Sequence, residues 1–112
     1  MKNLKLVINN KKNENYFFNK YELKLILNLY AKMVSGGEWK DYGLTISTKE
    51  VNFNIYRRAT EFPIYKITKY FKPKNKYQRY TIQDSTNRVI NNSENLYNLI
   101  NNITWKKLRL VN

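Results

Sequence analysis

The residues carrying the most chemistry lie between Tyr56 and Tyr80. Eight cations, Arg57, Arg58, Lys66, Lys69, Lys72, Lys74, Lys76 and Arg79, share that stretch with one carboxylate, Glu61, whereas residues 25–55 balance to zero charge. Phe62, Tyr65, Tyr70, Phe71, Tyr77 and Tyr80 are set among them. Cations track a phosphate backbone and aromatic rings stack on unpaired bases, so interleaving both on strands is what a nucleic-acid surface requires. The expected contacts are those eight cations together with Tyr65 and Tyr80. Arginine at positions 57 and 58 adds a planar fork that grips phosphate or carboxylate with two bonds, although one of the two can equally pair with Glu61. The plainer reading of the same stretch is that Tyr and Phe favour strands and that lysines keep a sheet edge from pairing with another chain.

The remaining candidates for chemistry are thin. The chain has no Cys and no His, which excludes thiol nucleophiles, disulfides, thiolate or imidazole metal ligation and the side chain that titrates nearest neutral pH. Three glycines, Gly36, Gly37 and Gly43, cannot write a phosphate-cradling loop or a dinucleotide fingerprint. Glu38 and Asp41 have the spacing of a carboxylate pair, but a hard cation wants about six oxygens and no further acid is near in sequence. The Tyr-x-x-x-Lys pairs Tyr16/Lys20, Tyr65/Lys69 and Tyr70/Lys74 arise readily by chance in a chain this rich in both residues, and no serine has a histidine to activate it. The expectation is a protein that is not an enzyme and uses no cofactor and no metal.

These residues must be positioned by a modest fold. At 112 residues the chain is expected to be a single domain, 1–112, with a short strand and polar connection at 1–15, a core at 16–104 and a tail at 105–112. Its net charge of +13 attracts polyanions, discounted because a skew toward Lys, Asn, Ile and Tyr also reflects AT-rich coding. No apolar run reaches the roughly 18 residues of a membrane span, and Met1-Lys2-Asn3-Leu4-Lys5 does not open a signal peptide, so a cytoplasmic protein with no membrane partner is expected.

The periodicity changes along the chain. Leu4 to Ile8 alternates as a short strand. Asn19 is placed to cap a helix, with Glu22 reaching back, and Leu23, Ile26, Leu27, Tyr30, Met33 and Val34 follow on one face until Gly36-Gly37 stops it. Leu25 and Leu29 lie outside that stripe and offer a second apolar face. Strands are then expected at Tyr42–Ser47, Val51–Tyr56, Ile64–Tyr70, Tyr77–Gln83 and Arg88–Ile90, with a short helix after Asn92 or Ser93. Trp39 is expected to plug the seam between helix and sheet. The fold class is α+β: two layers, an antiparallel meander of about four to five strands packed with an N-terminal-side helix and a short C-terminal helix.

Two blocks carry a family resemblance. Leu27 to Tyr42, with Gly37-Glu38-Trp39-Lys40-Asp41-Tyr42, and Phe53 to Ile67, with Tyr56-Arg57-Arg58-Ala59-Thr60-Glu61, resemble a small alphaproteobacterial family catalogued as domain of unknown function 2794, over most of residues 20–103. The resemblance implies a cytoplasmic bacterial protein and supplies no mechanism. Where that family carries a basic Lys-Arg-Gly segment before its last helix, this chain reads Ile90-Asn91-Asn92-Ser93. Two functional readings follow. The first is a binding module whose basic, aromatic-bearing sheet holds nucleic acid or another polyanion. The alternative is a protein-protein interaction or homodimerisation domain that uses Leu25 and Leu29.

Overall fold

The computed structural model describes residues 16–58 and 62–103. The expected strand at Leu4–Ile8, Glu61 and the tail from Trp105 lie outside them. Helix α1 spans Lys20–Ser35 and begins with a complete capping box: the Asn19 side chain accepts from the Glu22 amide at 2.8 Å, and the Glu22 carboxylate accepts from the Asn19 amide at 2.7 Å. Each bond satisfies a donor that the first turn leaves without an intrahelical partner. Gly36 caps the other end and Gly37 turns the chain at φ +80, a conformation that only glycine adopts without strain.

Five antiparallel strands follow in the order of the chain: β1 (Asp41–Ile46), β2 (Glu50–Tyr56), β3 (Tyr65–Tyr70), β4 (Tyr80–Asp84) and β5 (Val89–Ser93). A short 3₁₀ turn at Lys76–Gln78 interrupts the basic connection between β3 and β4, so the fourth strand begins later than the alternation alone indicates. Helix α2, Leu96–Asn101, is capped by Asn95 and not by Asn92 or Ser93, which belong to β5.

Alternation along β2 divides the sheet. Val51, Phe53 and Ile55 point to one face and are fully buried, and Ile67 and Ile82 extend that row through β3 and β4. On it lie Ile26, Leu29 and Met33 of α1, Leu96 and Leu99 of α2, and Trp39, in one core. Trp39 sits between Tyr30 and Tyr65, sealing the seam as its size predicts. The α1 stripe is rotated from the sequence expectation. Its buried line is Glu22, Ile26, Leu29 and Met33, while Leu27 and Val34 are exposed. Leu29 is therefore a core residue, which removes it from the expected interaction face, and Leu25 is half-buried against that core.

Candidate functional site

The opposite face of the sheet has a different chemistry. Register places Thr45, Asn52, Thr68, Thr81 and Asn92 in one row across all five strands, with Gly43, Asn54, Lys66 and Gln83 in the next. Neither described helix contributes to this face. Asn52 donates to the Thr45 hydroxyl at 3.0 Å and accepts from the Thr68 hydroxyl, which locks three side chains of adjacent strands into one ladder. Asn54 donates weakly to the same Thr45 oxygen at 3.4 Å. Its own side-chain oxygen is buried and is the one such oxygen without a hydrogen-bond partner among the described residues.

At the Glu50 and Tyr70 end of this face opens a cleft of about 640 Å³. Its walls are the β1–β2 turn, with Thr48, Lys49 and Glu50, and the β3–β4 connection, with Lys72, Lys74 and Gln78; Tyr70, Thr81, Val89 and Asn92 form its floor. Three ammonium groups thus meet one carboxylate above a floor that mixes the apolar surface of Tyr70, Phe71 and Val89 with the Asn92 amide. Burial, and then the charge of Glu50, raise the Tyr70 phenol above its ordinary pKa.

The expected contact residues separate into three groups. Lys66 is on the open face, and Lys72 and Lys74 line the cleft, with Lys76 exposed beside the Tyr77 ring, 5.3 Å from its centre. Arg57 and Arg58 follow β2 at the other end of the sheet, about five residues or roughly 17 Å away along β3. Arg57 is close enough to Tyr65 to favour its ionised form against the stronger effect of burial, which raises that phenol. Arg79 is half-buried, and its carbonyl accepts from the Tyr70 amide. The cations therefore form two poles and not one continuous patch.

Three expected contacts are on the covered face instead. Lys69 is only 4% exposed, and its ammonium donates to the Glu22 carboxylate at 2.8 Å and to the Phe17 carbonyl at 2.8 Å. The Tyr80 hydroxyl donates to the other oxygen of Glu22, and burial followed by that bond pushes the phenol far above its ordinary range. Tyr65 packs its ring toward Trp39. Period-two alternation explains all three: Tyr65, Ile67 and Lys69 share a face, as do Tyr80 and Ile82, and that face is the core. Lys69, Tyr65 and Tyr80 thus leave the binding surface. Lys49, Glu50, Thr81 and Asn92 enter it without having been singled out. The signal for them was the repetition of Asn and Thr at alternate positions of successive strands.

A five-stranded meander with two helices on one face defines an α+β domain whose other, polar face carries no helix among the described residues. The model of the family described as Protein of unknown function (DUF2794) matches residues 16–100, and the chain belongs to that family. No curated protein and no solved structure matches it. No helix among the described residues is long and apolar enough to cross a membrane.

Proposed function

We propose that the protein is a cytoplasmic, non-enzymatic module that binds single-stranded nucleic acid across the open face of its sheet, anchored in the lysine-rimmed cleft. One observation supports this most directly. The cleft sets the exposed Asn92 amide and the half-buried Tyr70 beside a rim of three lysines, the division of labour between base contacts and phosphates. Tyr56 and Tyr70, which occupy this face at opposite ends of neighbouring strands, supply rings for stacking. The pole at Arg57 and Arg58 extends the electrostatic track to the far end of the sheet. A duplex keeps its bases stacked on each other and offers these rings nothing to stack on.

The test is fluorescence anisotropy of a labelled mixed-sequence oligonucleotide over a range of salt. Wild type should bind the single strand more tightly than the duplex, with affinity falling steeply as salt rises. Changing Lys49, Lys72 and Lys74 together to glutamate should weaken binding at least tenfold and flatten the log–log salt slope by about 2, at about 0.7 per lost phosphate contact. The melting temperature should be preserved, because these ammonium groups are exposed. Unchanged affinity in that variant removes the cleft from the reading.

A further inference from the structure

We infer that two copies of the chain associate through strand β1, joining their sheets edge to edge about a two-fold axis at Leu44. Among the described residues β1 pairs on one side only, with β2. The Ser47 amide donates to the Glu50 carbonyl at 2.8 Å. Antiparallel ladders alternate, so Ser47, Thr45 and Gly43 direct their backbone groups to β2, and Tyr42, Leu44 and Ile46 direct theirs outward. The Tyr42 amide is held by Asp41 Oδ1 at 2.8 Å, which leaves the amides and carbonyls of Leu44 and Ile46 presented at the edge.

The other edge of the sheet is protected in the usual way, with a register shift in β5 and helix α2 directly after it. β1 has none of these devices. It contains no Lys, Pro or bulge, and the side chains it turns to the helix side are apolar and exposed, Tyr42 at 43%, Leu44 at 41% and Ile46 at 58%. Helix α1 continues the apolar surface. Tyr30 packs edge-on against Tyr42, and Leu27 and Val34, three and four residues from Tyr30 and therefore on its side of the helix, are both exposed.

A second copy fits this edge better than another partner because the edge is complementary to itself. Pairing Leu44 with Leu44 of the copy places Tyr42 against Ile46 and Gly43 against Thr45, so that every apolar side chain stays on the helix side in both copies and the amides of Leu44 and Ile46 both meet carbonyls of the copy. It also brings α1 of the two copies to the same side of the seam. Charge points the same way. A chain of net charge +13 repels its copy wherever lysines meet, but β1 carries only Asp41, and the register sets Asp41 opposite Ser47. The open faces of both sheets end on one side, outside the contact.

Sedimentation velocity on the full chain should give a mass of about twice 13.6 kDa, with monomer recovered on dilution. Leu44→Lys should abolish the dimer while leaving the far-ultraviolet circular dichroism unchanged, since the side chain is exposed. A second variant fixes the register. The chain has no cysteine, so Leu44→Cys introduces one thiol per copy, and oxidation should link the copies quantitatively, because directly opposed residues have Cα atoms about 5.5 Å apart. Ile46→Cys should not cross-link, since its thiols would stand about 13 Å apart. A wild type that stays monomeric at every concentration, as it would with the edge filled by another segment or a different protein, overturns the inference. So does a dimer that forms without the Leu44→Cys cross-link. Oligonucleotide binding by Leu44→Lys separates this contact from the cleft.

Discussion

The two faces of the sheet bury polar groups on opposite terms. On the covered face Glu22, Lys69 and Tyr80 form a network in which both carboxylate oxygens are taken: one by the Lys69 ammonium and the Asn19 amide, the other by the Tyr80 hydroxyl. On the open face Asn52 and Thr68 are paired, yet Asn54 keeps an acceptor with no partner among the described residues. Buried charge is tolerated only when fully paired, whereas a neutral amide oxygen can stay buried without a partner at a smaller cost. Sequence alone treats all these residues as polar. Their surroundings decide which of them must be fully paired to hold the fold.

The largest expected effect tests the covered face. Glu22→Leu takes the Glu22 carboxylate away from the buried Lys69 ammonium, the Asn19 amide and the Tyr80 hydroxyl, and should cost about 3–5 kcal/mol in chemical denaturation, close to the whole stability of a small domain. Lys69→Met should be similarly damaging by stranding the carboxylate. The double variant Glu22→Leu/Lys69→Met should recover part of the loss, because two apolar side chains can replace a buried pair, although Asn19, Phe17 and Tyr80 then lose partners. Single-variant costs near 1 kcal/mol would mean that water reaches the network and that the two faces do not differ in kind.

A smaller effect is expected at the hairpin between β4 and β5. Asp84 Oδ1 accepts from the Thr86 hydroxyl at 2.7 Å, the Thr86 amide at 2.9 Å and the Arg88 amide at 3.0 Å. The Thr86 hydroxyl, followed by the Arg88 amide, holds this carboxyl below the usual aspartate range. A depressed folded pKa means that its stabilisation is fully present above the ordinary value near 3.8 and is lost as the pH falls through the lower folded value. Asp84→Asn should therefore melt below wild type at neutral pH by an amount of about 1 kcal/mol, and the gap should close at strongly acidic pH. A gap that persists in acid would assign the difference to geometry instead of charge.

Much of the frame was legible in advance. The capping box at Asn19 and Glu22, the glycine stop and the alternation of Val51, Phe53 and Ile55 are local signals, and each formed where its residues placed it. Less legible was rotation. The α1 stripe turned so that Leu29 faces in and Leu27 and Val34 face out, because Glu22 is drawn into the layer by Lys69, a residue 47 positions away. No pattern confined to the helix contains that pairing. The basic segment was over-read for a related reason. Its cations are consecutive in sequence, but alternation and the turn at Lys76–Gln78 send them to two faces and two ends. The uncharged ladder was missed because Asn looked like composition, when its spacing of two along β2 was the informative part.

The smallest effect on stability is also the one that best separates the faces. Asn54 is only 5% exposed, its amide nitrogen has one weak bond to Thr45, and its oxygen has no partner. Valine is close to it in shape and fits a strand better, so Asn54→Val removes an unsatisfied acceptor at little packing cost. Its stability in chemical denaturation should stay within about 0.5 kcal/mol of wild type or rise, the reverse of the response at Glu22. Affinity for single-stranded oligonucleotide and its salt slope should both be retained, because the Asn54 oxygen is buried and out of reach of a strand laid on the face. A loss above about 1 kcal/mol would instead make Asn54 part of the scaffold, and the open face would then be polar for the same reason as the covered one.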